Sequence, residues 1–156
     1  IMPCNTAHYF LPRLQEMTQI PFLSILAAAA EACKARFPGK AVGILGTTGT
    51  LTANLYQTAL AGAGVAYQVP SAQEQEALMR VIYQGVKAGK GPDSYRADFL
   101  TVLESMHARG AEVFLLGCTE LPLAAEALHI ALPTVDPTTE LAKAAIRFCG
   151  YNIRGE

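Results

Sequence analysis

The sequence has few charged residues, and it lacks both a basic run and a long hydrophobic segment. Only 16% of its 156 residues are charged, the net charge is −1, and the lysines and arginines are scattered. Nucleic acid is not an expected partner, because domains that bind it concentrate their basic residues. The longest apolar stretch, residues 21–30, is interrupted by Ser24 and is too short to span a bilayer, so a membrane is not expected as a partner either.

The sequence also lacks a Cys-x-x-Cys pair and a recognisable secretion signal at its start. Its cysteines are widely separated and stand at Cys4, Cys33, Cys118 and Cys149. This pattern argues against a disulfide framework and against a thiol redox protein, and it favours reduced thiols in the cytoplasm. Cys4 and His8 have the i, i+4 spacing of helical metal ligands, but no second ligand pair accompanies them. We therefore expect no metal and predict that His8 makes local hydrogen bonds.

The chain does contain enough apolar sequence for a sizeable core, since 51% of its residues are hydrophobic. Stretches with strand and helix periodicity alternate along it, which predicts an α/β fold with a mostly parallel sheet. Strands are predicted at residues 41–45, 65–69, 113–116 and 133–135, with 1–3 as the end of another and 21–23 as a short strand or a lead into a helix. Helices are predicted over residues 7–17, 24–37, from 51 to either 62 or 64, over 71–86, around 99–106, from Pro122 onward, and over 137–148.

Several of these helices carry residues that satisfy their first backbone N–H groups. Ser24 is predicted to cap one helix, and Ser71 with Glu74 matches a capping box. Asp136 followed by Pro137 matches an N-cap with proline at the first helical position. These residues set the predicted helix starts.

Two similar cysteine motifs are present, Pro-Cys-Asn-Thr-Ala-His at 3–8 and Gly-Cys-Thr-Glu-Leu at 117–121. In each, an apolar stretch ends at the cysteine, and a helix is predicted to follow. A thiol between a strand and a helix N-terminus lies near free N–H groups, which is expected to lower its pKa and to favour an anion. With the threonine-rich turn at 47–50, these loops follow carboxyl ends of strands, where open parallel sheets bind ligands. We predict that they converge on one site.

A pair of cysteines suits a reaction that inverts a carbon bearing an acidic hydrogen. One sulfur removes the proton from one face, and the other delivers a proton to the opposite face. Each sulfur must approach the carbon to about 3–3.5 Å, so Cys4 and Cys118 would lie about 7 Å apart, too far for a disulfide. Neutral donors for a ligand carboxylate would come from Asn5, Thr6, Thr47 and Thr119.

Simpler explanations exist for the remaining candidate residues. A cysteine is most often a small core residue, and we predict that position for Cys33 and Cys149. The threonine-rich turn lacks the lysine and the spacing of a phosphate-binding loop, so a tight turn with a helix cap is the alternative. Lys87 ends an amphipathic helix, where a lysine is commonly only solvated. His107 and His129 are predicted to lie on the surface.

Several motifs occur together in one order along the chain. They are Pro-Cys-Asn-Thr-Ala-His at 3–8, Leu-Gly-Thr-Thr-Gly-Thr at 45–50, Ile-Tyr-Gln-Gly-Val-Lys-Ala-Gly at 82–89, Gly-Cys-Thr-Glu-Leu at 117–121 and Asp-Pro-Thr at 136–138. In this combination the sequence closely resembles the aspartate/glutamate racemase family over essentially its whole length. The resemblance implies a cofactor-independent enzyme that interconverts L- and D-aspartate, with glutamate as a further substrate to consider.

The resemblance also implies residue roles. Cys4 and Cys118 correspond to the two acid/base thiols, which implies racemisation in both directions. Lys87 corresponds to the partner of the distal carboxylate, so the implied substrate is an acidic amino acid. Glu120 would orient the second thiol or contact the amino group, and its presence where the glutamate-specific branch has histidine favours the aspartate-type branch. The α-carboxylate and amino group would be held by Asn5, Thr6, Thr47 and Thr119.

The family architecture implies two pseudo-symmetric α/β lobes, an active site in the cleft between them, and a homodimer. Residues 1–38 would be the remnant of a first lobe, joined by residues 134–156, and residues 39–133 would form the second lobe. Because the sequence starts at Ile1, inside a predicted strand, we expect that part of the first lobe precedes it, including a further basic residue of the family's site. A maleate isomerase, a hydantoin racemase and a non-catalytic amino-acid-binding protein remain open alternatives. Lys87 and the Cys-Thr-Glu pattern argue against the hydantoin racemase.

Overall fold

Parallel strands and helices alternate along residues 1–154, which are the residues that the computed structural model describes. In chain order the elements are a 3-10 helix (Thr6–Phe10), α1 (Leu11–Glu16), α2 (Ile25–Arg36), β1 (Val42–Gly46), α3 (Thr48–Thr52), α4 (Leu55–Ala63), β2 (Tyr67–Gln68), α5 (Ala72–Met79), a π-helix (Arg80–Val86), a 3-10 helix (Pro92–Ser94), α6 (Arg96–Ala108), β3 (Val113–Gly117), α7 (Glu120–Ala127), β4 (Thr134–Val135) and α8 (Pro137–Phe148). The strands form one parallel sheet in the order β2-β1-β3-β4. The predicted α/β fold class is therefore confirmed.

Apolar side chains cover both faces of this sheet. In β3, Val113 and Leu115 belong to a buried cluster with residues of α2 and α4. Phe114 and Leu116 belong to a second cluster with residues of α5, α6 and α7. Alternate side chains of a strand point to opposite faces, so a strand covered on both sides must be apolar throughout. This is the physical reason for the unbroken apolar run at residues 113–116.

The predicted helix caps are present. Ser24 caps α2, and Asp136 caps α8 with Pro137 at the first helical position. Ser71 and Glu74 form a reciprocal capping box in front of α5. Each cap contributes on the order of 1 kcal/mol and fixes where its helix begins.

The expected strand at residues 1–3 is not found. Instead the Cys4 backbone N–H donates to the Met2 carbonyl at 2.8 Å, which closes a turn. A strand needs a neighbour to bond its N–H and C=O groups, and no strand within residues 1–154 lies beside this segment. Residues 21–23, for which a strand is one alternative, lead into α2 without forming one.

Two other predicted elements have different bounds. The helix predicted from Leu51 begins earlier, at Thr48, and it is interrupted at Asn54, whose φ of 53° is left-handed. The strand predicted at residues 65–69 shortens to β2, which pairs on one side only because it lies at the sheet edge.

The helix predicted over residues 71–86 is regular only as far as the end of α5. It continues as the π-helix Arg80–Val86, a wider turn that is rare and often found at functional sites. Gly85 lies within it, and a Cβ there would lie 2.6 Å from Cδ1 of Tyr95. Glycine is required at this position because the Tyr95 ring packs directly against the backbone.

The cysteines and histidines outside the two motifs follow the predictions with one exception. Cys33 is fully buried in α2, as predicted. Cys149 is exposed, so its predicted core position is wrong. It follows the last residue of α8, Phe148, which is itself 62% exposed, so this end of the helix is uncovered. His107 and His129 are exposed, as predicted.

The end of the described chain packs back onto the sheet and onto α2. In β4, Thr134 pairs with Phe114 of β3. Helix α8 then packs against α2, where Arg36 donates from Nη1 to Oε1 of Glu140 at 3.1 Å. The C-terminal segment is thereby connected both to the sheet and to α2.

The division into lobes stays a prediction, with residues 1–38 and 134–156 in the first and 39–133 in the second. Residues 155–156 of that assignment lie outside the described residues. Within residues 1–154, none of the helices combines the length and the apolar character needed to cross a membrane.

Candidate active site

A cavity of about 340 Å³ lies at the carboxyl ends of β1 and β3. The residues predicted from the sequence to form the site all line it: Cys4, Asn5, Thr6, Thr47, Lys87, Cys118, Thr119 and Glu120. The lining is completed by Pro3, Gly49, Met79 and Tyr83. The structure thus brings the candidate residues together in one place, while their individual roles stay predictions.

The register of two neighbouring strands places two of the loops side by side. Gly46 at the end of β1 pairs with Gly117 at the end of β3. Thr47 and Cys118 are the next residues, so both leave the sheet at the same edge. Thr47 also caps α3, because its Oγ1 accepts the backbone N–H of Thr50 at 3.3 Å. The interpretation of this turn as a tight turn with a helix cap therefore fits the structure.

A buried histidine holds the Cys4 loop. His8 is 3% exposed, its Nδ1 lies 2.9 Å from the Cys4 carbonyl oxygen, and its Nε2 accepts the N–H of Ile25 at 3.1 Å. A carbonyl can only accept, so Nδ1 carries the proton and the ring is neutral. Burial lowers the pKa of His8, against the opposing effect of the hydrogen bond to Cys4. The predicted local hydrogen-bonding role of His8 is confirmed.

Three threonine hydroxyls connect the Cys4 loop to the start of α3. Thr6 Oγ1 lies 2.7 Å from Thr50 Oγ1 and 3.1 Å from Thr47 Oγ1. The hydroxyls of Thr47 and Thr50 are 3.1 Å apart, which closes a triangle. Thr50 is fully buried, whereas Thr6 and Thr47 line the cavity. The buried hydroxyl therefore orders the two that a ligand can reach.

Cys118 has a different environment from the one expected. It is 7% exposed, and its thiol donates to Oε2 of Glu120 at 2.9 Å. Burial, followed by the hydrogen bond to Glu120 and its negative charge, raises the pKa of Cys118 to about 12. The expectation of a lowered pKa is wrong for Cys118, because burial and the carboxylate outweigh the helix N-terminus. At neutral pH Cys118 is a thiol that is hydrogen-bonded to the Glu120 carboxylate.

Glu120 is the acceptor for both polar residues that precede it. Thr119 donates from Oγ1 to the same Oε2 at 3.1 Å. Burial acts to raise the pKa of Glu120, but the hydrogen bonds from Cys118 and Thr119 outweigh that effect, and the net shift is downward. The side chain is therefore ionised at neutral pH, and it supplies the negative charge of the cavity.

Lys87 supplies the positive charge. Its Nζ lies 3.7 Å from Oε1 of Glu120 and 4.4 Å from the centre of the Tyr83 ring. The Lys87 side chain is 38% exposed, so the ion pair is partly solvated and weak, and its ammonium can exchange one anionic partner for another. Tyr83 lies within the π-helix and Lys87 directly follows it, so that irregular turn presents both residues to the cavity.

Four residues of the site region were not predicted from the sequence. They are Thr50, Tyr56, Met79 and Tyr83. Thr50 could have been found, because it lies in the same threonine-rich turn as Thr47. Tyr56 gave no local signal, because the hydroxyl contacts Asn5, 51 residues away along the chain. Such a contact is visible only in the folded chain.

The groups around the cavity suit a small ligand that carries both acidic and basic groups. The cavity volume is near the lower end of the range of about 300–1,000 Å³ for small-molecule sites. Amide and hydroxyl groups and the Lys87 ammonium can bind carboxylates, and the Glu120 carboxylate can bind an amine. Within the described residues, no group of three or more His, Cys, Asp and Glu side chains is placed to share a metal ion. The fold and the site define an α/β protein with two thiols beside a binding site for a small polar ligand.

Comparison with known proteins narrows this class to one family. A sequence model described as Asp/Glu/Hydantoin racemase matches residues 1–145, so the chain belongs to that family. It is 24% identical over 145 residues to the broad specificity amino-acid racemase RacX of Bacillus subtilis, covering 93% of this chain and 62% of that protein. It is 27% identical over 124 residues to the glutamate racemase of Corynebacterium kroppenstedtii, covering 79% of this chain and 42% of that protein.

A solved structure agrees with the sequence comparison. The crystal structure of an aspartate racemase homologue from Pyrococcus horikoshii superposes with a TM-score of 0.80 at 28% identity, covering 94% of this chain and 64% of that chain. The relatives thus include proteins described for aspartate, for glutamate and for a broad range of amino acids. The present chain spans less than two thirds of the length of each of these three relatives.

Proposed function

We propose that the protein is a racemase that interconverts L- and D-aspartate by acid/base chemistry on two thiols, without a cofactor. L-glutamate is the next substrate to consider. The observation that carries the proposal is that Cys4 and Cys118 line the same cavity as Lys87 and several neutral donors. Membership of the racemase family supports the reaction class.

The charges around the cavity support an acidic amino acid as the substrate. Lys87 would bind the distal carboxylate in place of its weak contact with Glu120. Glu120 is then free to accept the substrate ammonium. The α-carboxylate would be bound by the neutral donors Asn5, Thr6, Thr47 and Thr119, which can also stabilise the negative charge that develops as the α-proton leaves.

The protonation state of Cys118 assigns the starting roles. Cys118 holds its proton at neutral pH, so we assign it the role of the acid. The base is then the Cys4 sulfur, which acts in its deprotonated form. The Cys4 sulfur takes the α-proton, the C–H electron pair stays on the α-carbon, and that carbon takes the thiol proton of Cys118 on its other face. Cys4 is then a thiol and Cys118 a thiolate, which is the starting state of the reverse reaction.

Glu120 has a function in both of these states. While Cys118 is a thiol, the carboxylate accepts its S–H bond and orients it. When Cys118 is a thiolate, the neighbouring negative charge makes it a stronger base. The same contact therefore keeps Cys118 protonated before the reaction and makes its thiolate a better base for proton removal.

The test is NMR of the full-length protein with L-aspartate in deuterated water. We expect deuterium at the α-carbon and accumulation of D-aspartate. Cys4→Ser and Cys118→Ser should each stop racemisation, because a serine hydroxyl is too weak an acid to replace the thiol. Cys149→Ser is the matched control, since Cys149 is exposed and absent from the cavity lining.

Two outcomes would contradict the proposal. Full racemisation by either Cys4→Ser or Cys118→Ser would exclude the two-thiol mechanism. Tight binding of aspartate or glutamate without α-deuterium uptake would favour a non-catalytic amino-acid-binding protein.

By analogy with the family, we also infer a cytoplasmic homodimer with two lobes and the active site in the cleft between them. In this arrangement residues 1–38 and 134–156 belong to the first lobe. Light scattering of the full-length protein tests the dimer, and a monomer with full activity would contradict it.

A further inference from the structure

Tyr56 is fully buried and does not line the cavity. It nevertheless contacts a residue next to each cysteine: the side chain of Asn5 beside Cys4 and the backbone of Gly117 beside Cys118. It is the second residue of α4, directly after the break in the helix at Asn54. One of its contacts is made by the hydroxyl and the other by the ring.

The hydroxyl of Tyr56 fixes the side chain next to Cys4. It donates to Oδ1 of Asn5, which is 3% exposed. Because Oδ1 is engaged by this donor, the amide N–H₂ is the part of Asn5 that remains for a ligand in the cavity. Burial raises the pKa of Tyr56 well above its ordinary value, so the phenol stays protonated and donates throughout the neutral range.

The ring of Tyr56 fixes the backbone next to Cys118. A Cβ on Gly117 would lie 2.9 Å from Cε2 of Tyr56 and 2.7 Å from the Leu45 carbonyl oxygen. Gly117 is therefore enclosed between the aromatic ring and the neighbouring strand, and no other residue fits without displacing one of them. The ring therefore packs directly against the backbone that leads into Cys118.

We propose that Tyr56 is a positioning residue with two separable roles: its hydroxyl orients the Asn5 amide, and its ring keeps the Cys118 loop aligned through Gly117. The inference rests on the proposed two-thiol function. It extends that function by assigning the orientation of Asn5 and the packing of Gly117 to one buried side chain. Tyr56 acts through its neighbours and does not touch the substrate.

The two contacts can be separated by two substitutions. Tyr56→Phe keeps the ring and removes the hydroxyl, so only the Asn5 amide loses its fixed orientation. We expect KM for aspartate to rise about 10-fold, with kcat within about 3-fold of the wild type, because binding is lost and the thiols stay aligned. Tyr56→Leu also removes the ring from Gly117, and we expect kcat to fall about 10-fold or more in addition.

Tyr95→Phe is the matched control, because Tyr95 is another buried tyrosine and does not line the cavity. We expect wild-type KM and kcat for it. Equal effects of Tyr56→Phe on KM and kcat would overturn the proposal, as would wild-type kinetics in Tyr56→Phe.

A readout without turnover separates this proposal from the proposed function. In full-length protein labelled with ¹⁵N-asparagine, the Asn5 side-chain amide should give two protected proton signals that shift on adding aspartate. In Tyr56→Phe these signals should lose their protection from exchange. Rapidly exchanging Asn5 amide protons in the wild type would overturn the proposal even if Tyr56→Phe did not fold. Absence of α-proton exchange with intact Asn5 protection would refute the racemase and leave the positioning role supported.

Discussion

The two cysteine loops reach the same cavity by different means. Cys118 follows a strand that is bonded on both sides, and its thiol is buried against a carboxylate. Cys4 is exposed and follows a turn, and its loop is held by side chains such as His8 and Thr6. A ladder of backbone bonds opens only with the sheet, whereas a few side-chain bonds can open locally. The comparison teaches that the Cys4 loop is the more easily loosened half of the site.

The largest effect is expected from removing the charge that distinguishes the Cys118 half. Glu120→Gln keeps the shape of the side chain and removes its negative charge. We expect kcat to fall about 10³-fold, because Cys118 loses the negative charge that strengthens its thiolate as a base. The pKa of Cys118 should fall below about 12, since the carboxylate contributes to raising it.

In this variant Cys118 should therefore be alkylated faster, although the enzyme catalyses racemisation more slowly. The alkylation rate of Cys118 is measured with iodoacetamide at mildly alkaline pH, followed by peptide mass spectrometry. Unchanged or slower alkylation would show that Glu120 does not raise the pKa. Glu126→Gln, an exposed change on the same helix, is the control and should leave both rates unchanged.

The next effect is a difference in reactivity between cysteines of the wild type. At neutral pH we expect Cys118 to react with iodoacetamide at least about 100-fold more slowly than Cys149, because Cys118 is buried with a pKa of about 12 and Cys149 is exposed. Cys33, fully buried with its pKa raised by burial to about 12, should be slow as well. Comparable rates at Cys118 and Cys149 would contradict the protonated state of Cys118, on which its assignment as the acid rests.

A smaller effect is expected from releasing the Cys4 half. His8→Phe fills a similar volume but leaves the Cys4 carbonyl and the Ile25 N–H without their partner. We expect the free energy of unfolding to drop by about 2 kcal/mol at neutral pH, measured by urea denaturation. His129→Asn is the control, because His129 is exposed and its left-handed φ of 51° suits asparagine.

Lowering the pH should destabilise the Cys4 loop of the wild type in the same way. The pKa of His8 is lowered in the folded protein, mainly by burial. The unfolded chain therefore binds the proton first, so the stability that His8 contributes is complete above its unfolded pKa of about 6.5 and is lost as the pH falls toward the lower folded value. Hydrogen exchange of residues 4–10 should rise over that interval ahead of residues 113–118. Simultaneous opening of both segments would contradict the comparison.

The smallest effect is expected from the buried threonine. Thr50→Val keeps the shape and removes the hydroxyl that contacts Thr6 and Thr47. We expect a loss of about 1 kcal/mol in the free energy of unfolding and a rise in KM of a few fold, since the cavity hydroxyls lose their order. Thr58→Val, at an exposed position of α4, should change both by much less.

Much of the fold was predictable because its determinants are local. Ser24, the Ser71 and Glu74 pair and Asp136 cap helices through atoms a few residues away, so their sequence pattern predicts the contact. The convergence of Thr47 with Cys118 followed from one topological rule, that parallel strands end at the same edge of a sheet. That rule does not account for Cys4, which follows a turn, or for Lys87, which follows the π-helix. The family was recognisable because the motifs combine distinctive residues in a fixed order.

What the sequence could not provide depends on residues that are far apart along the chain. The position of Cys118 between a strand and a helix predicts a lowered pKa, and the packing around it reversed the sign. The strand expected at residues 1–3 has no neighbour to pair with in the described structure. Cys149 is exposed because nothing in the described chain covers the end of α8.

The sequence by itself determined the alternation of strands and helices, the starts of the three capped helices and the candidate residues of the site, because each depends on neighbouring residues and on side-chain chemistry. Only the tertiary structure decided how those groups are tuned and aligned. Desolvation of Cys118, the hydroxyl triangle around Thr50 and the two contacts of Tyr56 arise when distant segments exclude water together. Their strength depends on burial and on distances that no local pattern encodes.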